Sequence, residues 1–445
     1  MMKANASNTH DVITSGESEA VVTKSKVSKV MILVTVICWL AIFIEGYDLV
    51  IYGVVLPSLM ESSEWGLSPT QAGAMGSYAL LGMFIGSSVG GVLSDKFGRK
   101  LVLIASLLLL SIMMILTALA TSPEMFGTYR FIAGLGIGGI VPAASALTTE
   151  YAPAKYRSLV YVLMYTGFAF GGVAAAIAGM LFIDSFGWRF LFWLGAIPIV
   201  LVPLIMKYLP ESIKFLQATN QRAKAEKIIG KYQLVDEVID EEKVETSSSS
   251  LVSIFSKKYL VSTTLFSLIY IMAFLLIYGM NTWLPKIMQQ AGYPMKSSLM
   301  FLLVFNFAAI IGGIIAGAAA DRVQPKKVIS FTYFLAALSI VLLSIKFDIV
   351  VIYMLIAVAG FGTTGTTFVL ASYVMKQYNS QNRATAIGIS SAIGRLGAVA
   401  GPILVGIIIS MGAGFEFNFY LFAIIAFIAS MVILLVPSQK SIERL

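Results

Sequence analysis

The chain has 445 residues, 58% of them hydrophobic and only 12% charged, with a formal net charge of +8 and a mean hydropathy of +0.87. A soluble protein of this length needs far more charge to cover its surface, so the composition describes a polytopic membrane protein and excludes soluble folds and nucleic-acid binding despite the basic balance. One cysteine, Cys38, and one histidine, His10, exclude a disulfide framework or a Cys/His metal cluster, and any proton-handling group within the membrane must be a carboxylate or a tyrosine.

Residues 1–29 are polar and lack the apolar core of a cleavable signal, so they read as a disordered cytosolic tail. Apolar segments of about 20 residues then recur. They place spans at 30–59, 71–93, 101–121, 126–149, 158–183 and 189–208, and again at 259–288, 298–320, 328–345, 349–373, 385–410 and 417–437. The expected architecture is an all-α membrane protein of twelve transmembrane helices. It divides into a six-helix half, 30–208, a charged cytosolic linker with short amphipathic helices, 209–258, a second six-helix half, 259–437, and a cytosolic tail, 438–445.

Lysine and arginine fix the orientation. With both termini inside, the connecting segments on the outer side hold only Arg189, Lys286, Lys296 and Lys346. Arg130 and Arg395 lie within spans, and the remaining basic residues fall in the tails, the linker and the inner loops. The protein is expected in the inner, or plasma, membrane as a multi-pass monomer.

The two halves repeat at a fixed offset of 226 residues. Asp95 in GVLSDKFGRK aligns with Asp321 in GAAADRVQPKK, Gly134, Gly136 and Gly139 align with Gly360, Gly362 and Gly365, and Arg157 aligns with Arg383. An even number of spans per half makes the repeats parallel, an arrangement that transporters use with a binding site near the midplane between them. The same glycines spell GxGxxG, but inside an apolar span this is no dinucleotide fingerprint, which needs a preceding strand in a βαβ unit. Either close helix packing or a hinge accounts for them.

GVLSDKFGRK resembles the loop motif between the second and third helices of the major facilitator superfamily, and RFIAGLGIGG, from Arg130, resembles its helix-four motif. Glu150 and Arg157 in EYAPAKYR, with LPES at 209–212, resemble the sugar-porter branch. EGYD at 45–48 and IGRLG at 393–397 resemble the aromatic acid:proton symporters, whose usual D-G-x-D pattern carries Glu here at its first acid. The resemblance implies a proton-coupled secondary transporter that imports a small aromatic carboxylate, such as a benzoate or hydroxybenzoate, by alternating access. Nicotinate carriers, other organic-ion or sugar-type carriers and a drug:proton exporter are the alternatives. The fifth span lacks the Gly-Pro element of such exporters.

A charge at mid-helix costs roughly 2.5–3.5 kcal/mol on insertion scales, so charges inside the spans need a purpose. Spacing i, i+3 puts Glu45 and Asp48 on one face, with Tyr52 a turn beyond. Arg130 falls in the same outer half of the membrane as Asp48, and Arg395, about ten residues into its span, comes roughly 15 Å deep. The expected division of labour has Arg395 binding the substrate carboxylate through its planar fork. Asp48 and Glu45 carry the transported proton, with Arg130 as counter-charge. Tyr52, Tyr78, Tyr278, Asn281, Trp283 and Asn306 are candidate pocket residues, although aromatics near span ends also serve as interfacial anchors. On the inner face Asp95, Arg99, Glu150, Arg157, Asp321 and Arg383 can form cross-bundle ion pairs, and the resemblance implies that they gate the cytoplasmic side. Lys376 stands where the second half would match Glu150, so this latch is asymmetric. No P-loop is present. The expected cofactor set is empty, with no metal, no catalytic cluster and the proton gradient as the only driving force.

Overall fold

The computed structural model describes residues 28–61, 65–153, 156–232, 253–379 and 382–437. The tail through residue 27, linker residues 233–252 and residues 438–445 lie outside the described residues, and with them the reading of a disordered N-terminal tail. The described chain is helical throughout, with no strand. In chain order the helices are α1 (Lys29–Glu61), α2 (Pro69–Phe97), α3 (Arg99–Ala118), α4 (Pro123–Glu150), α5 (Arg157–Gly195), α6 (Pro198–Tyr208), α7 (Ile213–Ala218) and α8 (Arg222–Tyr232). They continue as α9 (Leu260–Gln290), α10 (Met295–Arg322), α11 (Pro325–Leu342), α12 (Ile349–Gly360), α13 (Thr366–Gln377), α14 (Arg383–Ser410) and α15 (Glu416–Leu435). A π-helical turn, Phe361–Gly365, joins α12 to α13.

Local chemistry sets the boundaries. Ser68 caps α2 in a capping box with Gln71, and Pro69 opens it; at α4 Ser122 accepts the Met125 N–H and Pro123 opens the helix. Gly98, at φ 102°, turns the chain between α2 and α3, a conformation that favours glycine.

Among the described residues, eleven helical stretches are long and apolar enough to cross a membrane, one fewer than the twelve expected. The difference lies in Leu159–Tyr208, a 50-residue stretch. As one helix it would run about 75 Å, more than twice the roughly 30 Å of a hydrocarbon core. Gly187, at φ 74° and ψ 173°, breaks it, so the stretch crosses twice and the bundle has twelve spans.

The internal repeat survives in three dimensions. α10, α11, α12 and α14 each begin 226 residues after α2, α3, α4 and α5. The repeated glycines are sites of close helix approach. A methyl group on Gly134 would overlap the Ala79 carbonyl, and one on Gly360 the carbonyl of Phe305, its repeat partner. Gly136 meets Ser106 and Gly362 meets Thr332 in the same way. Packing accounts for these four glycines.

Apolar side chains such as Val92, Val200, Phe331 and Leu435 clothe the outside of the bundle, where a soluble protein would carry charge. The interior holds Phe126, Phe192, Phe266, Phe301, Phe305, Tyr333 and Phe422, all fully buried.

Candidate functional site

α1 is buried along most of its length, and its acids are buried with it: Glu45 is 3% exposed and Asp48 is fully enclosed. Arg130 of α4 turns one guanidinium nitrogen to the Asp48 carboxylate and another to the Asp48 backbone carbonyl, at 2.9 Å. Phe192 lies 5.9 Å from the same guanidinium. This closed pair leaves one Asp48 oxygen and the Arg130 Nε with no hydrogen-bond partner among the described residues.

Glu45 has a different neighbour. It and Arg395 of α14 line one chamber in the middle of the bundle, together with Tyr165, Phe168, Phe274, Tyr278 and Thr364. One Glu45 oxygen and one Arg395 nitrogen are buried without a hydrogen-bond partner among the described residues. Tyr278 stacks edge-on against Phe168, at 6.1 Å, and Phe274, at 5.9 Å, so the chamber walls are aromatic. A buried cation with spare donors beside apolar rings suits an amphiphilic anion: the fork takes a carboxylate and the rings take an apolar body.

Arg395 also lines a larger cavity of about 900 Å³. This cavity reaches from Arg395 past Tyr161, Tyr165 and Ser145 to Asp95, Arg157 and Arg383, which lie at one end of the bundle. At the opposite end the two sets of six spans close on each other. Ser77 of α2 donates to the Val399 carbonyl of α14 at 2.7 Å, and Gly53 of α1 abuts the Asn281 carbonyl of α9. Gly73 meets the Pro402 carbonyl, Gly406 meets Pro69, and Lys286 pairs with Glu61 at 3.1 Å. The molecule is therefore open at the Asp95 end and sealed at the Glu61 end.

The structure distributes the remaining candidates between seal, surface and chamber. Trp283 is fully buried and donates its indole N–H to the Pro402 carbonyl at 2.9 Å. Tyr52 donates to the Ala72 carbonyl at 2.6 Å, also beside the seal. Asn306 donates to the Asn281 side chain at 2.8 Å, and Gly172 packs against Asn306. Tyr78 is 40% exposed on the bundle's outside, against Gly127. Of this set only Tyr278 shares the chamber with Arg395. Tyr161, Tyr165, Phe168, Phe274 and Thr364 line it or the cavity below and escaped the sequence reading. The tyrosine pair at i, i+4 in LVYVLMYTGF and the run TTGTT were the available signals.

At the open end the six candidate gating residues bond within their own half. Asp95 pairs with Arg99 at 2.8 Å, and Asp321 with Lys376 at 3.3 Å. Arg157 donates Nε to the Ala152 carbonyl, and Arg383 does the same to Tyr378, again 226 residues on. Glu150 accepts from the Ser212 hydroxyl at 2.6 Å and from the Lys214 N–H at 2.7 Å, which caps the start of α7. Glu211 accepts the Lys100 N–H, and Tyr151 donates to the Glu211 carbonyl. The LPES segment thereby fixes the first part of the linker to the first six spans.

The family model described as Major Facilitator Superfamily matches residues 38–345 and 300–444. The chain belongs to the major facilitator superfamily. This makes it a membrane carrier and not an enzyme, as the sequence led us to expect. Among curated superfamily members, the chain is 36% identical to a benzoate transport protein of Acinetobacter baylyi, with 92% of this chain and 90% of that one covered. It is 34% identical to a gentisate transporter of Corynebacterium glutamicum, over 91% and 87%, and 32% identical to the 4-hydroxybenzoate transporter PcaK of A. baylyi, over 86% of each. Among solved superfamily structures, the partially occluded inward-open form of the xylose transporter XylE from E. coli superposes with a TM-score of 0.75 at 20% identity, covering 93% of this chain and 99% of that one. That likeness shows the twelve-helix fold.

Proposed function

We propose that this protein imports a small aromatic carboxylate together with protons, with Arg395 holding the carboxylate and Glu45 and Asp48 handling the protons. The observation that carries the reading is the chamber in which Glu45 and Arg395 face the same aromatic-walled space, each with an unpartnered polar atom. Relatives named for benzoate, gentisate and 4-hydroxybenzoate support the substrate class.

The coupling follows from charge. In the empty site Glu45 and Arg395 compensate each other. A substrate carboxylate on Arg395 would leave two anions for one buried cation, an arrangement that low dielectric penalises. A proton on Glu45 restores balance, so substrate and proton bind together and leave together. Asp48 is held by Arg130 and gives up or takes a proton when that pair opens during the change of access. Nothing else need be bound: the proton gradient is the driving force, and one chain contains the whole site.

The Asp95 end faces the cytoplasm in this reading, with both termini inside and the chain in the plasma membrane. The excess of lysine and arginine at that end supports it. The state described is then inward-facing. The test is uptake of radiolabelled benzoate, hydroxybenzoates, gentisate and nicotinate into proteoliposomes with and without an inward proton gradient. Protein-free liposomes run alongside as the control for passive permeation. Accumulation above equilibrium that a protonophore abolishes is the expected result. If no aromatic acid accumulates beyond the control, the reading fails.

A further inference from the structure

The repeat breaks its own symmetry at one place in the tenth span. Residues 135–139 run as ordinary α-helix within α4, but their counterparts, Phe361–Gly365, form a π-helical turn. Such a turn closes with wider hydrogen bonds and rotates the side chains that follow around the axis; π-bulges recur at functional sites. The residue at issue is Thr364. Its counterpart, Gly138, packs so tightly against Ser87 that a methyl group would overlap the backbone. Thr364 instead carries a side chain that lines the chamber of Glu45 and Arg395.

The neighbouring threonines hand their hydroxyls back to their own helix. Thr363 donates to the Ala359 carbonyl at 2.7 Å, Thr366 to Gly362 at 2.8 Å and Thr367 to Thr363 at 3.2 Å. Thr364 is 4% exposed, and its buried hydroxyl has no hydrogen-bond partner among the described residues. A buried hydroxyl left unmatched costs about 1–3 kcal/mol, so its persistence at a chamber wall points to a partner that comes and goes.

We propose that Thr364 reads a hydroxyl group on the ring of the substrate and so sets the preference for hydroxylated over unsubstituted aromatic carboxylates; this rests on the aromatic-carboxylate reading above. With the carboxylate on Arg395, the ring lies among Phe168, Phe274, Tyr165 and Tyr278, and apart from the two tyrosines and Thr367, whose hydroxyl is bonded to Thr363, the hydroxyl that lines the chamber is that of Thr364. The threonine hydroxyl both donates and accepts, and so matches a phenolic O–H in either sense. A site built to bond a substrate hydroxyl discriminates against the analogue that lacks it, because its own polar group is then stranded.

The experiment is equilibrium binding of benzoate and of the ortho, meta and para monohydroxybenzoates to the full chain in nanodiscs, for the wild type and for Thr364→Val, Thr364→Ser and, as a control away from the chamber, Thr363→Val. The wild type is expected to bind at least one hydroxybenzoate more tightly than benzoate. Thr364→Val should reduce that preference, read as the ratio of hydroxybenzoate to benzoate affinity, about tenfold, whereas Thr364→Ser and Thr363→Val keep it. An unchanged preference in Thr364→Val, an equal loss for all four acids, or no hydroxyl preference in the wild type overturns the assignment while benzoate binding still stands. If the wild type binds none of the four, the aromatic-acid reading itself fails, and this one with it.

Discussion

Arg130 grips Asp48 twice, through its carboxylate and through its backbone carbonyl, so a cation from α4 is fastened to both the side chain and the main chain of α1. The pair is sealed from solvent on both sides. Loss of one member strands the other in a medium that cannot solvate it.

Asp48→Asn and Arg130→Gln are therefore each expected to destabilise the protein by about 3–5 kcal/mol, the range for breaking a buried pair from one side. The double variant should lose clearly less than the sum. Thermal unfolding in detergent measures this. Single variants as stable as the wild type would show that the ion pair is dispensable.

Glu45→Gln should separate exchange from accumulation. A permanently neutral residue balances Arg395 and the bound carboxylate but carries no proton away. Labelled substrate should still exchange between the two sides of a proteoliposome membrane, and uptake above equilibrium should vanish. Retained uphill uptake in this variant would assign the coupling to Asp48 alone.

Arg395→Lys keeps the charge and removes the fork. Bidentate recognition is worth more than a point charge, so affinity for an aromatic carboxylate is expected to fall about tenfold to a hundredfold. Equal affinity in lysine and arginine proteins would mean that the carboxylate is held elsewhere.

The seal at the Glu61 end depends on the absence of side chains. Gly53 and Gly73 stand against the carbonyls of Asn281 and Pro402 with no room for a methyl group. Gly73→Leu should hold that end apart and shift the population away from the state described here. Cys38 is buried, so a cysteine introduced at Ser88, in the wall of the open cavity, reports the shift by thiol labelling from the Asp95 side. Labelling should slow several-fold; an unchanged rate would show that the bundle tolerates the leucine.

Much of this arrangement was legible from residue spacing. Glu45 and Asp48 sit on one α1 face as i, i+3 demands, and the shared depth of Asp48 and Arg130 anticipated their pairing. The angular offset between the two acids, about 60° on a helix, is what sends one carboxylate to α4 and the other into the chamber. The aromatic candidates were harder because their role depends on which neighbour arrives. Trp283 and Tyr278 are five residues apart on α9, yet one bonds into the seal and the other faces Arg395. Periodicity marks both as inward and cannot say more. The π-turn was invisible for another reason: FGTTG differs from LGIGG by residues that are all compatible with an α-helix, and only the hydrogen-bond register separates them. Glu150 was read as a gate, but its bonds to Ser212 and Lys214 depend on how LPES folds back, which no spacing encodes.

The Glu150 clamp has a mechanical consequence. Ser212, Glu211 and α7 are tied to the first six spans, while at the other end of the linker Ser253 accepts a hydrogen bond from Asn382 and Ile254 from Thr263, both in the second half. The two ends of the connecting segment thus ride as fixed cargo on opposite halves of the carrier.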